Sequence, residues 1–154
     1  MRGARAVGGR GARRFSFGGT WEVAATPEAV RQVAVDLERY PEWWPQVIAV
    51  AALGPDDARV LCRSALPYTL DLVLHAVSRD LPTIEVAISG DLDGCARWTL
   101  AENGTGTIME FAEDVVATGF LGWSAYVAAP VLRWNHARMM AAGAAGLAAR
   151  ARSR

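Results

Sequence analysis

A chain of 154 residues, 52% hydrophobic and with six Trp, has enough apolar mass to bury one real core, which excludes a disordered or tail-like protein. Its sixteen basic residues balance sixteen acidic ones, so no net charge recruits nucleic acid as a main partner. Every basic residue is Arg, which codon bias in a GC-rich genome explains as well as any need for guanidinium chemistry.

Residues 1–14 carry five Arg and no acid, with no apolar stretch behind them to make a signal peptide. They are expected to form a disordered basic tail ahead of a single domain spanning 15–154. Phe15, Phe17, Trp21 and Val23 alternate with Ser16, Thr20 and Glu22, a period of two that predicts a strand with one buried face. Thr26-Pro27-Glu28 then reads as N-cap, first helical residue and dipole-matched acid, which predicts a helix from Thr26 to about Leu37. A second short helix is expected from Asp36 to about Trp44, closed by Pro41 and Pro45.

From Val47 onward, apolar runs are divided by turn chemistry at Gly54-Pro55-Asp56-Asp57, Leu66-Pro67, Asp80-Leu81-Pro82, Gly90-Asp91 to Asp93-Gly94, and Asn103-Gly104. The spacing predicts an antiparallel meander with strands Val47–Leu53, Arg59–Ala65, Tyr68–Arg79, Thr83–Ser89, Cys95–Ala101 and Thr105–Thr118, leaving no helix for a parallel crossover. After Thr118 the pattern turns helical, through Phe120 to Ala129 and again from Pro130 to about Ala151, with Pro130 expected to kink or restart the helix. Leu132, Met139, Met140 and Leu147 share one face of that helix with His136 and Gly143. The weakly polar run from Gly119 to Leu132 falls short of the roughly 20 residues of a membrane span, so no integral membrane segment is expected. A cytoplasmic protein is the expectation, and no segment fixes an oligomeric state.

Trp21-Glu22-Val23 with Thr26-Pro27-Glu28-Ala29-Val30, the stretch Asp36 to Pro45, Ser89-Gly90-Asp91-Leu92, Arg97-Trp98-Thr99-Leu100 and Arg133-Trp134-Asn135-His136 with Gly146-Leu147 carry a family likeness. Over roughly Phe15 to Arg150 the chain resembles the START-related polyketide cyclase/dehydrase and lipid-transport superfamily. The resemblance implies an α+β helix-grip fold: a curved antiparallel sheet of about seven strands around a long C-terminal helix, with two short helices after the first strand. It also implies an apolar cavity for a small hydrophobic molecule. Members include aromatase/cyclases and lipid carriers, so fold alone does not choose a function.

Strand alternation predicts the cavity walls. Leu70, Leu72 and Leu74 point inward with Tyr68, leaving Asp71 and His75 outside; Ile84, Val86 and Ile88 follow, then Trp98 and Leu100, then Met109, Phe111 and Val115. The last helix adds Leu132, His136, Met139 and Met140. The same residues could instead form a filled core, and adaptable Met side chains suit either outcome. The candidate catalytic residues are Glu113, His136, Tyr68 and Arg63. Glu113 falls on the inward alternation, where burial requires a partner or an acid/base task, unless a bulge turns it to solvent. His136 is a cavity donor or a satisfied core residue. Tyr68 supplies a hydroxyl at the rim. Arg63 is ambiguous, because Val60, Cys62 and Ser64 compete with Leu61 and Ala65 for the inner face.

Trp43 and Trp44 are expected to pack the short helices over one end of the cavity, and Asp91 and Asp93 to serve turn geometry. No nucleotide fingerprint, zinc motif or nucleophile elbow is present, so no metal and no cofactor are expected. Cys62 and Cys95 lack metal-ligand spacing and are read as reduced thiols. Three functions follow: a binding or carrier protein for a lipid-like or polyketide-like molecule, a polyketide cyclase/aromatase or dehydratase, and an interaction module whose cavity is closed.

Overall fold

Alternating apolar and polar side chains build seven strands in the computed structural model, which describes residues 13–63 and 65–154. Residues 1–12 of the tail expected at 1–14 lie outside the described residues, while its last two, Arg13 and Arg14, belong to strand β1, Arg13–Val23. Helix α1, Pro27–Val35, starts as its sequence dictates, with Thr26 Oγ1 accepting from the Ala29 N–H at 3.3 Å. It stops two residues short of the expected end, because Asp36 leaves helical geometry (φ −89°, ψ 70°). A 3₁₀ turn, Leu37–Arg39, and the short helix α2, Tyr40–Trp43, follow. Trp44 is extended, the conformation imposed on a residue before proline.

The meander then runs through β2 (Val47–Ala52), β3 (Asp57–Arg63), β4 (Thr69–Ser78), β5 (Thr83–Gly90), β6 (Leu92–Asn103) and β7 (Gly106–Ala117). Its strands pair in the order β1-β7-β6-β5-β4-β3-β2, all antiparallel, so β1 and β2 form opposite edges. The turn between β5 and β6 needs Gly90: its φ is +109° and a Cβ there would collide with the Asp71 carbonyl. Asp91 Oδ2 accepts from the Asp71 N–H at 2.8 Å, which gives this carboxylate a structural partner in the turn.

Helix α3, Gly119–Arg152, crosses the concave face of the sheet. It runs as one long helix through Pro130, where the sequence pattern predicts a kink or a restart. The proline lies on the exposed side and removes a single N–H, and the helix continues through it. The arrangement is a helix-grip fold.

Packing beneath α3 is uneven. At one end Val23, Val30, Val33, Ile84, Leu100, Met109, Leu147 and Ala151 form a filled cluster where α1 meets the last turns of α3. The α1–α2 segment comes close to the helix through its glycines: a methyl at Gly146 would drive into the Trp43 carbonyl, and one at Gly143 would lie 2.5 Å from the Trp44 ring. Trp44 Nε1 donates to the Met139 carbonyl at 2.9 Å and fixes this contact. Toward the other end, the sheet and α3 diverge.

Candidate functional site

The divergence leaves a cavity of about 160 Å³. An apolar cavity of about 150 Å³ already accepts a benzene-sized molecule. Strands β4 and β5 supply Leu70, Leu72, Leu74, Ile84, Val86 and Ile88, β6 and β7 supply Trp98 and Phe111, and α3 supplies Leu132, His136, Met139 and Met140. Phe15, Phe17, Tyr40, Trp44, Val60 and Cys62 complete much of the wall.

Two expected lining residues are elsewhere. Leu100 and Met109 occupy the inward face but lie further along it, inside the filled cluster against α1 and Leu147; Met109 is fully buried there. Alternation sets the face a residue joins but not how far the helix stands from the sheet at that point.

Arg63 is also corrected. Val60 and Cys62 take the inner face of β3, so Arg63 is exposed on the convex side and does not line the cavity. On that outer face Arg59 pairs with Asp71 at 2.6 Å and His75 with Asp57 at 2.9 Å, as the outward register of β4 requires. The Arg59 hydrogen bond holds the Asp71 carboxyl below the usual carboxylate range.

Glu113 faces inward without a bulge. The pairing of β7 with β6 and with β1 is regular on both sides of it, and its residue exposure is 8%. Its Oε2 lies 3.2 Å from His136 Nε2, so a carboxylate from the sheet meets an imidazole from the helix on the cavity wall. The His136 ring is stacked on Phe17 with centroids 3.6 Å apart, which fixes its plane. Phe17, Phe111, His136 and Met140 also floor a shallow groove on the outside, between β1 and α3, where Gly18 and Gly19 leave the strand without side chains.

Tyr68 lines the same cavity. Burial pushes its phenol pKa up, and a hydrogen bond with the Asn135 side chain opposes that rise. Cys62 is pushed up to about 12, first by burial and then by the nearby Glu113 charge, so its thiol stays protonated and non-nucleophilic near neutrality. Tyr40, buried with its hydroxyl donating to the Ala34 carbonyl, is likewise raised. Asn135 lies outside the set that sequence reasoning picks out: it is 6% exposed, lines the cavity, and sits one residue before His136. Among the described residues, no three His, Cys, Asp or Glu side chains converge as a metal site. None of the helices there is long and apolar enough to cross a membrane.

A curved sheet gripping a long helix over an apolar cavity places this molecule among the START-like helix-grip proteins. The chain belongs to the polyketide cyclase/dehydrase and lipid transport family, whose profile matches residues 14–152. No curated protein matches the sequence. Among solved structures, a START superfamily protein from Mycobacterium smegmatis is 18% identical, with a TM-score of 0.72 over 90% of this chain and 97% of that one. The Zhui aromatase/cyclase from Streptomyces sp. R1128 is 16% identical, with a TM-score of 0.77 over 92% of this chain and 96% of that one. A protein from Thermus thermophilus is 14% identical, with a TM-score of 0.78 over 90% of this chain and 97% of that one. At these identities the likeness is one of fold.

Proposed function

We propose that this chain binds a small hydrophobic molecule, lipid-like or polyketide-like, between the sheet and α3. The observation that carries the reading is the unfilled space beneath the helix, walled by Leu, Ile, Val, Met and aromatic side chains. A protein interior normally packs to the density of an organic crystal, so an apolar gap left open beneath the helix is a place where an apolar molecule can bind. The interaction-module alternative requires a closed cavity and gains no support from this packing. Cys62 and Cys95 are free thiols, which suits a cytoplasmic location.

The test is native mass spectrometry of the protein purified from its own host. A defined apolar adduct supports the reading and names the ligand class. A clean apo mass, with no thermal stabilisation by lipid or aromatic libraries, removes it.

A second reading, a cyclase/aromatase or dehydratase, is favoured by the Glu113–His136 pair on the cavity wall. A carboxylate and an imidazole in contact can pass a proton to and from a bound keto chain, and Tyr68 offers a further hydroxyl. Conversion of a poly-β-keto thioester, lowered about a hundredfold or more by Glu113→Gln or His136→Ala, would establish this reading. Unchanged turnover in both variants would take the pair out of the chemistry.

A further inference from the structure

The sheet ends in two unlike edges. Strand β2 is short, and its pairing with β3 shifts register between Val47 and Ala49, an irregularity of the kind that blunts an edge. Strand β1 is eleven residues long, pairs with β7 without a shift and contains no proline. No described residue hydrogen-bonds to the backbone along its other side. It offers an unbroken row of donors and acceptors.

The middle of that edge is bare. Gly18 and Gly19 weaken a strand, and glycines so placed commonly mark a bulge or a site where another backbone approaches closely. Here the pairing has no bulge and neither φ is positive. A Cβ would meet only the Phe111 carbonyl oxygen at 3.4 Å or Trp21 Nε1 at 3.9 Å, both ordinary contacts, so no described neighbour calls for either glycine. Both border the groove between β1 and α3, where Ala137 and Ala141 are too small to fill the space.

We propose that β1 pairs antiparallel with β1 of a second copy of this chain, about a two-fold axis through Gly18. Every contact then occurs twice. On the outer face the axis sets Arg14 opposite the partner's Glu22 and Ser16 opposite the partner's Thr20, an ion pair and a hydroxyl pair. Arg14 and Glu22 are both exposed and join no ion pair among the described residues. On the inner face Phe17 lies opposite the partner's Gly19, so an aromatic ring covers the bare position. An axis through Gly19 would set Ser16 opposite Glu22 and form no ion pair, so the charges choose Gly18. The added strand extends the sheet beside the groove, which shares Phe17 and His136 with the cavity wall. The pairing does not depend on what the cavity holds.

Sedimentation equilibrium of the full chain over about 1–100 μM tests the pairing, a range set by the small area that one strand pair buries. The wild type should dimerise within it. Arg14→Glu and Glu22→Arg each turn both ion pairs into like-charge contacts and should raise the dissociation constant about tenfold. The double variant, Arg14→Glu with Glu22→Arg, faces opposite charges again and should return the wild-type constant. A monomeric wild type overturns the proposal. So does a dimer that the single variants leave unchanged, or one that the double variant fails to restore.

Discussion

Glu113 Oε2 on β7 and His136 Nε2 on α3 are 3.2 Å apart with both side chains largely buried, and this contact between ionisable groups of the cavity wall joins the sheet to the helix it grips. The two residues are not equivalent. Imidazole can stay neutral when buried, whereas a carboxylate left alone must protonate or remain as an uncompensated charge. His136→Leu should therefore destabilise the protein by about 3–5 kcal/mol, and Glu113→Leu by distinctly less. Urea unfolding of the two variants and of the double variant measures the asymmetry and the coupling together. Equal losses in both would show that the pair does not set the balance.

Leu100 and Met109 belong to the filled cluster, so their truncation should act on stability alone. Leu100→Ala or Met109→Ala should cost about 2–5 kcal/mol, the range for emptying a packed site, with probe affinity unchanged after correction for the folded fraction. Met140→Trp should reverse this pattern. It fills the cavity, lowers apolar probe affinity and changes the thermal midpoint little, because the space it enters is already open.

Gly146 and Gly143 are poor helix formers placed inside α3, and on propensity alone Ala should stabilise either by about 1 kcal/mol. Contact reverses that sign. At Gly146 the new methyl meets backbone, which cannot swing aside, so Gly146→Ala should destabilise by about 1–3 kcal/mol or more, the usual cost of overpacking. Gly143→Ala meets the Trp44 ring and should cost less, since a side chain can give way. Thermal melts of the two variants rank them.

Cys62 makes stability sensitive to alkali. Between the ordinary thiol pKa of 9.0 and about 12, the unfolded chain loses the Cys62 proton while the folded chain keeps it. The folded state then binds more protons, and stability falls as pH rises. The contribution is at most about 4 kcal/mol by the top of that window. Tyr40, raised for the same reason, adds to the loss at still higher pH. Urea midpoints at about pH 8 and about pH 10 should differ less in Cys62→Ala than in the wild type.

Most of the architecture is legible in the sequence because antiparallel strands announce themselves by alternation and by turn residues, and because Thr26, Pro27 and Glu28 form a complete helix start. The inward sets at Leu70–Leu74 and Ile84–Ile88 follow from that alternation, and the structure places them on the cavity wall. Depth along the strand is not legible. Leu100 and Met109 obey the same period as Trp98 and Phe111, and only the approach of α1 and Leu147 separates core from cavity. Arg63 is undecidable while its strand offers two plausible faces, and the burial of Val60 and Cys62 resolves it. Asn135 stands in the sequence only as part of the Arg133-Trp134-Asn135-His136 likeness and gives no sign of lining a cavity, because Asn is usually exposed and because it stands about 100° around the helix from His136, at the flank of the apolar stripe. Pro130 leaves a kink or a restart open, and the restart does not occur, since one missing N–H on the exposed side of a long helix does not end it.

The first strand of this sheet pairs along its length with the last, Arg13 opposite Ala117 and Val23 opposite Thr107. During synthesis, β1 therefore waits about 5–20 seconds for β7, the time a ribosome needs to add some hundred residues. Until then its backbone donors and acceptors are open to any other extended chain, and the cavity has no wall on that side. Pairing of β1 with β7, rather than formation of any helix, is the step that covers one side of this strand and completes the cavity wall.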